Sequence, residues 1–307
     1  MTKNRNVRCY FWLDNCVVQN LGDYIGAIVL EAMGYRAISL KSQTRDSVNP
    51  GRCLLPIGSV LSERTFQNIM EPVDVWGCGW RGAALQPSIV SRVRFHAVRG
   101  PETVAGLGLP PDTPIGDPAL LLPQLLSGQP KRHGRTLVIP HFYCTERMSA
   151  IQRCRITGCD KFLSTKIIGS PVPGVISSPI GIGAMLKTYL KLGVPIRTGR
   201  QAINTIAGAG FVLTGSLHGA IISQAYGIPW AAYDDGYVDV PEKWYDWAAY
   251  LGVPIEFVTT LAEGKMWWET KGCTGATRDL SPLLSAFPYP ISSEIRQRFQ
   301  RTLLSCL

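Results

Sequence analysis

The chain has 307 residues, 46% of them hydrophobic, which suits about two domains with proper cores and excludes a disordered chain. Its 31 Lys and Arg against 22 Asp and Glu leave a net charge of +9, but the basic residues are scattered and form no block of the kind a nucleic-acid arm carries. Small anions or an anionic membrane surface suit this distribution better than DNA. The nine cysteines are odd in number and lack C-x-x-C spacing, and no window has the order of a signal peptide, so a reducing cytoplasm is the expected compartment. The longest apolar windows, such as Ile25 to Met33, fall short of the roughly 20 residues of a membrane span and are broken by Glu31, so any membrane contact is expected to be peripheral.

In chain order, VRCYFWL (7–13) predicts a first strand and DNCVVQNLGD a loop. A helix follows from about Tyr24 to Met33, closed by Gly34, with Asn20, Gly22 and Asp23 at its start. Strands are predicted near 53–57, at Val73–Trp76 before GCGWRG, and at Phe95–Val98 before RGPETVAGLG, with IGDPALLL next. The polar, basic, Gly- and Pro-rich stretch 126–135 sets a boundary, so residues 1–128 read as the first domain. The second, 129–290, begins with a strand at 136–140 ending at His141. It continues with a helix near 145–155, a strand at Gly174–Ser177, a helix near 181–192 and a short strand at Val194–Ile196. Phe211–Thr214 then reads as a buried strand and Ala220–Tyr226 as a helix stopped by Gly227 and Pro229. Strands alternating with helices give the class: α/β, two Rossmann-like domains facing a cleft. Residues 291–307 form a C-terminal amphipathic helix. Its stripe of Ile295, Phe299, Leu303 and Leu304 fits either packing on the protein or contact with an anionic membrane.

Several residues in this frame can carry chemistry. GCGWRG follows a strand and matches the dinucleotide pattern, but Trp80 and Arg81 are bulky where a pyrophosphate must approach. A turn that brings Gly77 and Gly79 to a cleft fits better. Asn20 and Asp23 fit a helix N-cap, or a carboxylate that accepts a proton, with the helix dipole lowering its pKa. Arg99 follows a strand and can fork to a carboxylate or phosphate, or pair with a helix acid. His141 is expected at the C-terminal end of a strand, where open parallel sheets bind ligands. No Cys/His or carboxylate spacing fits a metal, and G-x-S-x-G is absent. His218 stands where a strand turns into a helix whose first N–H groups can bind an anion, and a phosphate there would favour its protonated form. Trp244, Tyr245 and Trp247 suit either sugar stacking or a buried helix face.

The ordered set NLGD, GCG, VRGPETVAGLG with IGDPALLL, VIPHFY, and TGSLHGAIISQAYGIPW followed by YDDGYVDVPEKWYDWAAYLGVP spans about residues 10–255. Together these segments resemble the polysaccharide pyruvyl transferase family, in particular its exopolysaccharide ketalase branch. The resemblance implies a fold similar to GT-B glycosyltransferases and phosphoenolpyruvate as donor, with no cofactor. It further implies transfer of the enolpyruvyl carbons to two hydroxyls of one sugar, on a lipid-linked oligosaccharide at the cytoplasmic membrane face. By matching motif, His218 is the expected catalytic acid, Asp23 a site carboxylate and Arg99 a ligand-binding arginine. Asn20, Gly22, Gly77, Gly79, His141, Ser216 and Gly219 are expected to contribute to the substrate site. Many relatives carry Arg where this chain has Ser216, so Arg197 or Arg200 is expected to supply the missing cation. A nucleotide-sugar glycosyltransferase and a non-catalytic carbohydrate-binding relative are the other classes this sequence allows.

Overall fold

The structure is a computed structural model that describes residues 5–10, 17–40, 47–128, 130–169, 176–275 and 278–305. Its strands are β1 (Arg5–Cys9), β2 (Val18–Asn20), β3 (Tyr35–Ser39), β4 (Cys53–Leu55), β5 (Val73–Cys78), β6 (Val93–Val98) and β7 (Thr136–Ile139). They continue with β8 (Lys161–Phe162), β9 (Lys166–Ile168), β10 (Arg197–Thr198), β11 (Phe211–Thr214), β12 (Trp230–Tyr233) and β13 (Phe257–Val258). One five-stranded sheet has the order β3-β1-β4-β5-β6 and another the order β13-β12-β11-β7-β8. All pairings in both are parallel, as the alternating pattern predicts.

The central strands read as unbroken buried runs because helices cover both faces of a parallel sheet. All six residues of β5 and all four of β11 are buried. The polar residue inside β5, Asp74, is matched by Arg52 at 2.9 Å and His96 at 3.1 Å. Four tryptophans, Trp76, Trp230, Trp244 and Trp247, are wholly buried. Each takes roughly 200 Å² from water, a gross gain of about 5 kcal/mol before the entropy of ordering it.

A third sheet, β10-β9-β2, joins a strand near the start of the chain to two strands from its middle. β2 runs antiparallel to β9, with Val18 opposite Ile168. The sequence reading made this segment a loop, because its strand character comes from a partner far along the chain. The strand expected at Val194–Ile196 lies instead at Arg197–Thr198, past Pro195, which has no N–H to give a ladder. Of the strand expected at Gly174–Ser177, residues 174 and 175 lie outside the described residues and 176–177 form a turn. β3 follows helix Leu21–Ala32 directly through Gly34, whose φ of +83° suits glycine, and had no counterpart in the sequence reading.

Residues 281–299 return to the first sheet. Trp76 Nε1 donates to the Leu283 carbonyl at 2.8 Å, its ring meets Phe287 at 4.7 Å, and Tyr35 Oη donates to the Pro290 carbonyl at 2.5 Å. Helix Ser293–Ser305 buries Ile295 and Phe299 and packs on helix Leu122–Leu125. The described part of its apolar stripe is therefore used within the protein.

Candidate active site

The C-terminal ends of the strands meet at a cleft of about 610 Å³, to which Asn20, Asp23, Ser59, His141, Ser216 and His218 contribute. β11 ends at Thr214, whose hydroxyl accepts from Ser216 N at 3.0 Å and donates to Ser216 O at 2.9 Å, closing a tight elbow. Helix Leu217–Ala225 starts there, and Ser216 makes no side-chain cap bond. Gly219 lets the helix lie on the strand, since a Cβ would fall 2.3 Å from Thr214 Oγ1. It is a packing residue and not part of the cleft lining.

The elbow holds the His218 imidazole in a buried position between two elements of the first half. Its Nε2 lies 3.3 Å from Asp117 Oδ2, and its Nδ1 side rests on Gly22, where a Cβ would be 2.5 Å away. Asp117 is fully buried, and its Oδ1 accepts from Ala119 N at 2.9 Å, capping the turn Pro118–Leu121 and leaving Oδ2 to the histidine. Neither Nε2 nor Oδ2 makes a hydrogen bond among the described residues, so their 3.3 Å approach is the polar contact each has. Gly77, at φ +81°, admits Pro118 where a Cβ would come within 2.2 Å of its ring. Gly77 and Gly22 thus serve the Asp117–His218 pair by their lack of a side chain. Asp117 lies in the IGDPALLL segment, where sequence reasoning gave it no role; an Asp-Pro at a helix start was the signal available.

Asp23 is half-buried on the cleft, and Asn20 Nδ2 donates to its Oδ2 at 2.7 Å. The Asn20 side chain is therefore not a helix cap. Burial raises the Asp23 carboxyl, outweighing the Asn20 bond and the charges of His218, Lys243 and Arg81. This corrects the expectation that the helix dipole would lower it, and a carboxyl shifted upward is a better proton acceptor.

Among the described residues, the cationic groups of the cleft are Lys243, Arg81 and Arg64. Buried Lys243 donates from Nζ to Asp239 Oδ2 at 2.8 Å. Its pKa is lowered by burial and by Arg99 and Arg81, against the pull of Asp239. Burial alone would raise Asp239, but the Lys243 charge and bond, with His141 and Arg81, hold its carboxyl below the usual range. Arg81 Nη2 lies 3.8 Å from Asp239, and Nη1 donates to Ser59 O at 3.1 Å. Exposed Arg64 makes no ion pair among the described residues. His141 places Nε2 3.7 Å from Asp239 Oδ2, while Nδ1 accepts from Tyr143 N at 3.4 Å. Burial, then Lys243 and Arg147, push its pKa down to about 4 against Asp239, so the imidazole is neutral near pH 7.

The three arginines singled out from sequence lie elsewhere. Arg99 is inaccessible: Nε donates to Asp246 Oδ2 at 3.1 Å and Nη1 to Ser59 Oγ at 2.6 Å. Asp246 also accepts from Thr103 N at 2.9 Å and Thr103 Oγ1 at 2.8 Å. Gly79 makes room for the guanidinium, 1.9 Å from where its Cβ would stand. Arg99 thus meets the cleft through Ser59. Arg197 lines a separate cavity of about 430 Å³, and Arg200 is exposed, 3.4 Å from Glu31. Neither lines the histidine cleft. Trp244 and Trp247 are buried against Phe257 and Tyr250, which settles them as a helix face rather than a sugar platform; Tyr245 is exposed.

Fold and site together define an α/β protein with an acid–base cleft between two parallel sheets, one whose histidine is oriented by a buried carboxylate. The model of the polysaccharide pyruvyl transferase family matches residues 75–236, more than half of the chain, and the chain belongs to that family. The succinoglycan biosynthesis protein ExoV of Rhizobium meliloti (strain 1021) is 26% identical over 208 residues, covering 67% of this chain and 56% of that protein. The chain thus matches little more than half the length of that relative. Among solved structures, an uncharacterised protein of Klebsiella pneumoniae aligns with a TM-score of 0.42 and 14% identity, over 83% of this chain and 93% of that one. AviGT4, a glycosyltransferase involved in avilamycin A biosynthesis, aligns with a TM-score of 0.35 and 11% identity, over 97% and 92%.

Proposed function

We propose that this protein moves the enolpyruvyl group of phosphoenolpyruvate onto two hydroxyls of one sugar in a polysaccharide precursor, releasing phosphate and leaving a cyclic ketal. The acceptor in this reading is a lipid-linked oligosaccharide met on the cytoplasmic side of a membrane, and no cofactor is required. The observation that carries it is one cleft holding the His218–Asp117 pair and Asp23 beside Lys243, Arg81 and Arg64.

His218 gives its Nδ1 proton to the donor methylene, which becomes the methyl group, and C2 takes on oxocarbenium character. In this reading the Asp117 carboxylate, 3.3 Å from Nε2, keeps the proton on that nitrogen, and Nδ1 serves the reaction. One sugar hydroxyl adds to C2 and yields its proton to Asp23, whose raised pKa suits that task. The bond from C2 to the phosphate oxygen breaks with the electron pair going to phosphate, and the second hydroxyl closes the ring. The second hydroxyl's proton restores His218, and the proton held by Asp23 passes to the departing phosphate. Lys243 and Arg81 balance the donor's carboxylate and phosphate charges. His141 has its Nδ1 engaged by Tyr143, so in this reading it packs and polarises and takes no proton.

The test is thermal melting with phosphoenolpyruvate, uridine diphosphate and NAD in turn. A ligand at ~100 times its dissociation constant stabilises the native state by about 2.7 kcal/mol, several degrees for a domain of this size. Phosphoenolpyruvate is expected to stabilise the protein, and Lys243→Met to abolish the shift. Stabilisation by uridine diphosphate and not by phosphoenolpyruvate would replace this reading with sugar transfer.

A further inference from the structure

Helix Pro179–Leu192 is attached to the protein by a narrow stripe, with Gly181, Thr188 and Leu192 its buried residues. Beside that stripe, Ile182, Leu186, Tyr189 and Leu190 recur at i, i+4, i+7 and i+8, the spacing of one apolar helix face. All four are exposed, Leu186 by 57% and Leu190 by 72%, and Ile180 at the helix start is 74% exposed. A contiguous apolar face of this kind on a water-facing helix marks an interaction surface. Lys187 and Lys191 border it on the side away from the buried stripe.

The charge around this face is one-sided. From Lys161 to Tyr233 the chain has six Lys and Arg and no Asp or Glu. Glu146 reaches in from outside that stretch to bond Lys166 at 2.7 Å and Lys191 at 3.2 Å, and Glu31 pairs with Arg200 at 3.4 Å. Lys161, Lys187 and Arg197 have no ion pair among the described residues. Two residues past the helix, Val194 and Pro195 open the cavity of about 430 Å³, which Phe162 and Ile151 line with Lys161 and Arg197. Its carboxylate, Asp160, is taken up by the N–H and hydroxyl of Thr136, both at 2.8 Å.

We infer that the face Ile182–Leu186–Tyr189–Leu190, with Lys187 and Lys191 at its edge, docks on an anionic lipid surface. An apolar helix face with flanking lysines and an interfacial tyrosine lies in the headgroup region, while the lysines meet lipid phosphates. A second copy of the chain fits less well, because a two-fold contact would bring both sets of lysines together. Among the described residues no helix is long and apolar enough to cross a membrane, so the contact is superficial. The same helix packs on β2, whose last residue, Asn20, lines the cleft, so docking would hold the cleft close to the lipid surface. This assigns membrane contact to the middle of the chain, where the sequence reading looked to its C-terminal helix.

The full-length protein is sedimented with vesicles of phosphatidylcholine alone and of equal parts phosphatidylcholine and phosphatidylglycerol. It is expected to bind the anionic vesicles and to release as salt rises. The double variant Leu186→Gln/Leu190→Gln, at exposed positions that keep helix propensity, should lose binding by about tenfold or more with unchanged melting. Lys187→Gln should weaken it by about fivefold, the equivalent of about 1 kcal/mol for a lysine near the surface. Failure of the wild type to bind anionic vesicles, or undiminished binding of the leucine variant, would overturn the inference. A dimer in light scattering that the leucine variant abolishes would overturn it too, assigning the face to a second copy. Vesicle binding needs neither donor nor acceptor, so its outcome is independent of the reaction proposed above.

Discussion

Gly22→Ala is a small change with a large expected effect. Its Cβ would stand 2.5 Å from His218 Nδ1, and ordinary contact begins near 3.4 Å, so the imidazole must retreat by about 0.9 Å (3.4 − 2.5). Retreat is resisted by Asp117, already 3.3 Å away on the other side of the ring. A misplacement of ~1 Å can cost about 10² in rate, because proton transfer needs near-contact geometry. The helix itself would gain from the exchange, by at most about 1 kcal/mol. The expected outcome is therefore a protein that melts within a few degrees of the wild type but turns over about 100-fold more slowly. Phosphate release from phosphoenolpyruvate with a glycan acceptor measures the rate. Imidazole NMR signals from only four histidines report the displacement of His218 directly. Wild-type turnover with an unshifted His218 signal would refute the placement of the imidazole against Gly22.

Asp117→Asn should keep the fold but lose about 10²- to 10⁴-fold in turnover, since the amide no longer fixes which imidazole nitrogen carries the proton; unchanged turnover would remove the pair from the mechanism. His141 sets a pH dependence: its folded pKa of about 4 lies below the ordinary 6.5, so the unfolded chain takes the proton first on acidification. Its contribution is fully present above pH 6.5 and is lost as pH falls toward 4, at most about 3 kcal/mol, so His141→Gln should flatten the stability profile in that window. Asp246→Ala should cost about 3–5 kcal/mol by stranding the Arg99 charge, read as a lower denaturant midpoint; a loss confined to donor binding would instead return Arg99 to the ligand.

The cleft was legible where it depends on topology. In a parallel sheet every strand ends on the same side, so residues just past the neighbouring strands β7 and β11 converge whatever else the fold does. That is why His141, Ser216 and His218 meet, whereas Asn20 and Asp23 reach the same cleft from the start of helix Leu21–Ala32, against which His218 packs. Arg99 has the same local setting, after a strand and at a helix start, yet Asp246, 147 residues onward, turns it inward. Nothing in the segment itself encodes that partner. The cleft's cations were hidden for a related reason. Arg81 looked like an obstacle within GCGWRG, and Lys243 is one charge on a helix otherwise read for its aromatics. β2 is the extreme case, three residues whose extended form exists only because β9 lies beside them.

The β2–β9 pairing and the return of residues 281–299 to Trp76 bear on how members of such a family could exchange parts. A recombination that swapped everything after the stretch 126–135 would join a foreign β9 to a resident β2, and a foreign Leu283 and Phe287 to a resident Trp76. Specificity could not be transplanted with the second sheet alone. A workable chimera would take its β2 from the donor of the second sheet and keep its tail from the donor of the first, which makes four crossover points where sequence order suggests one.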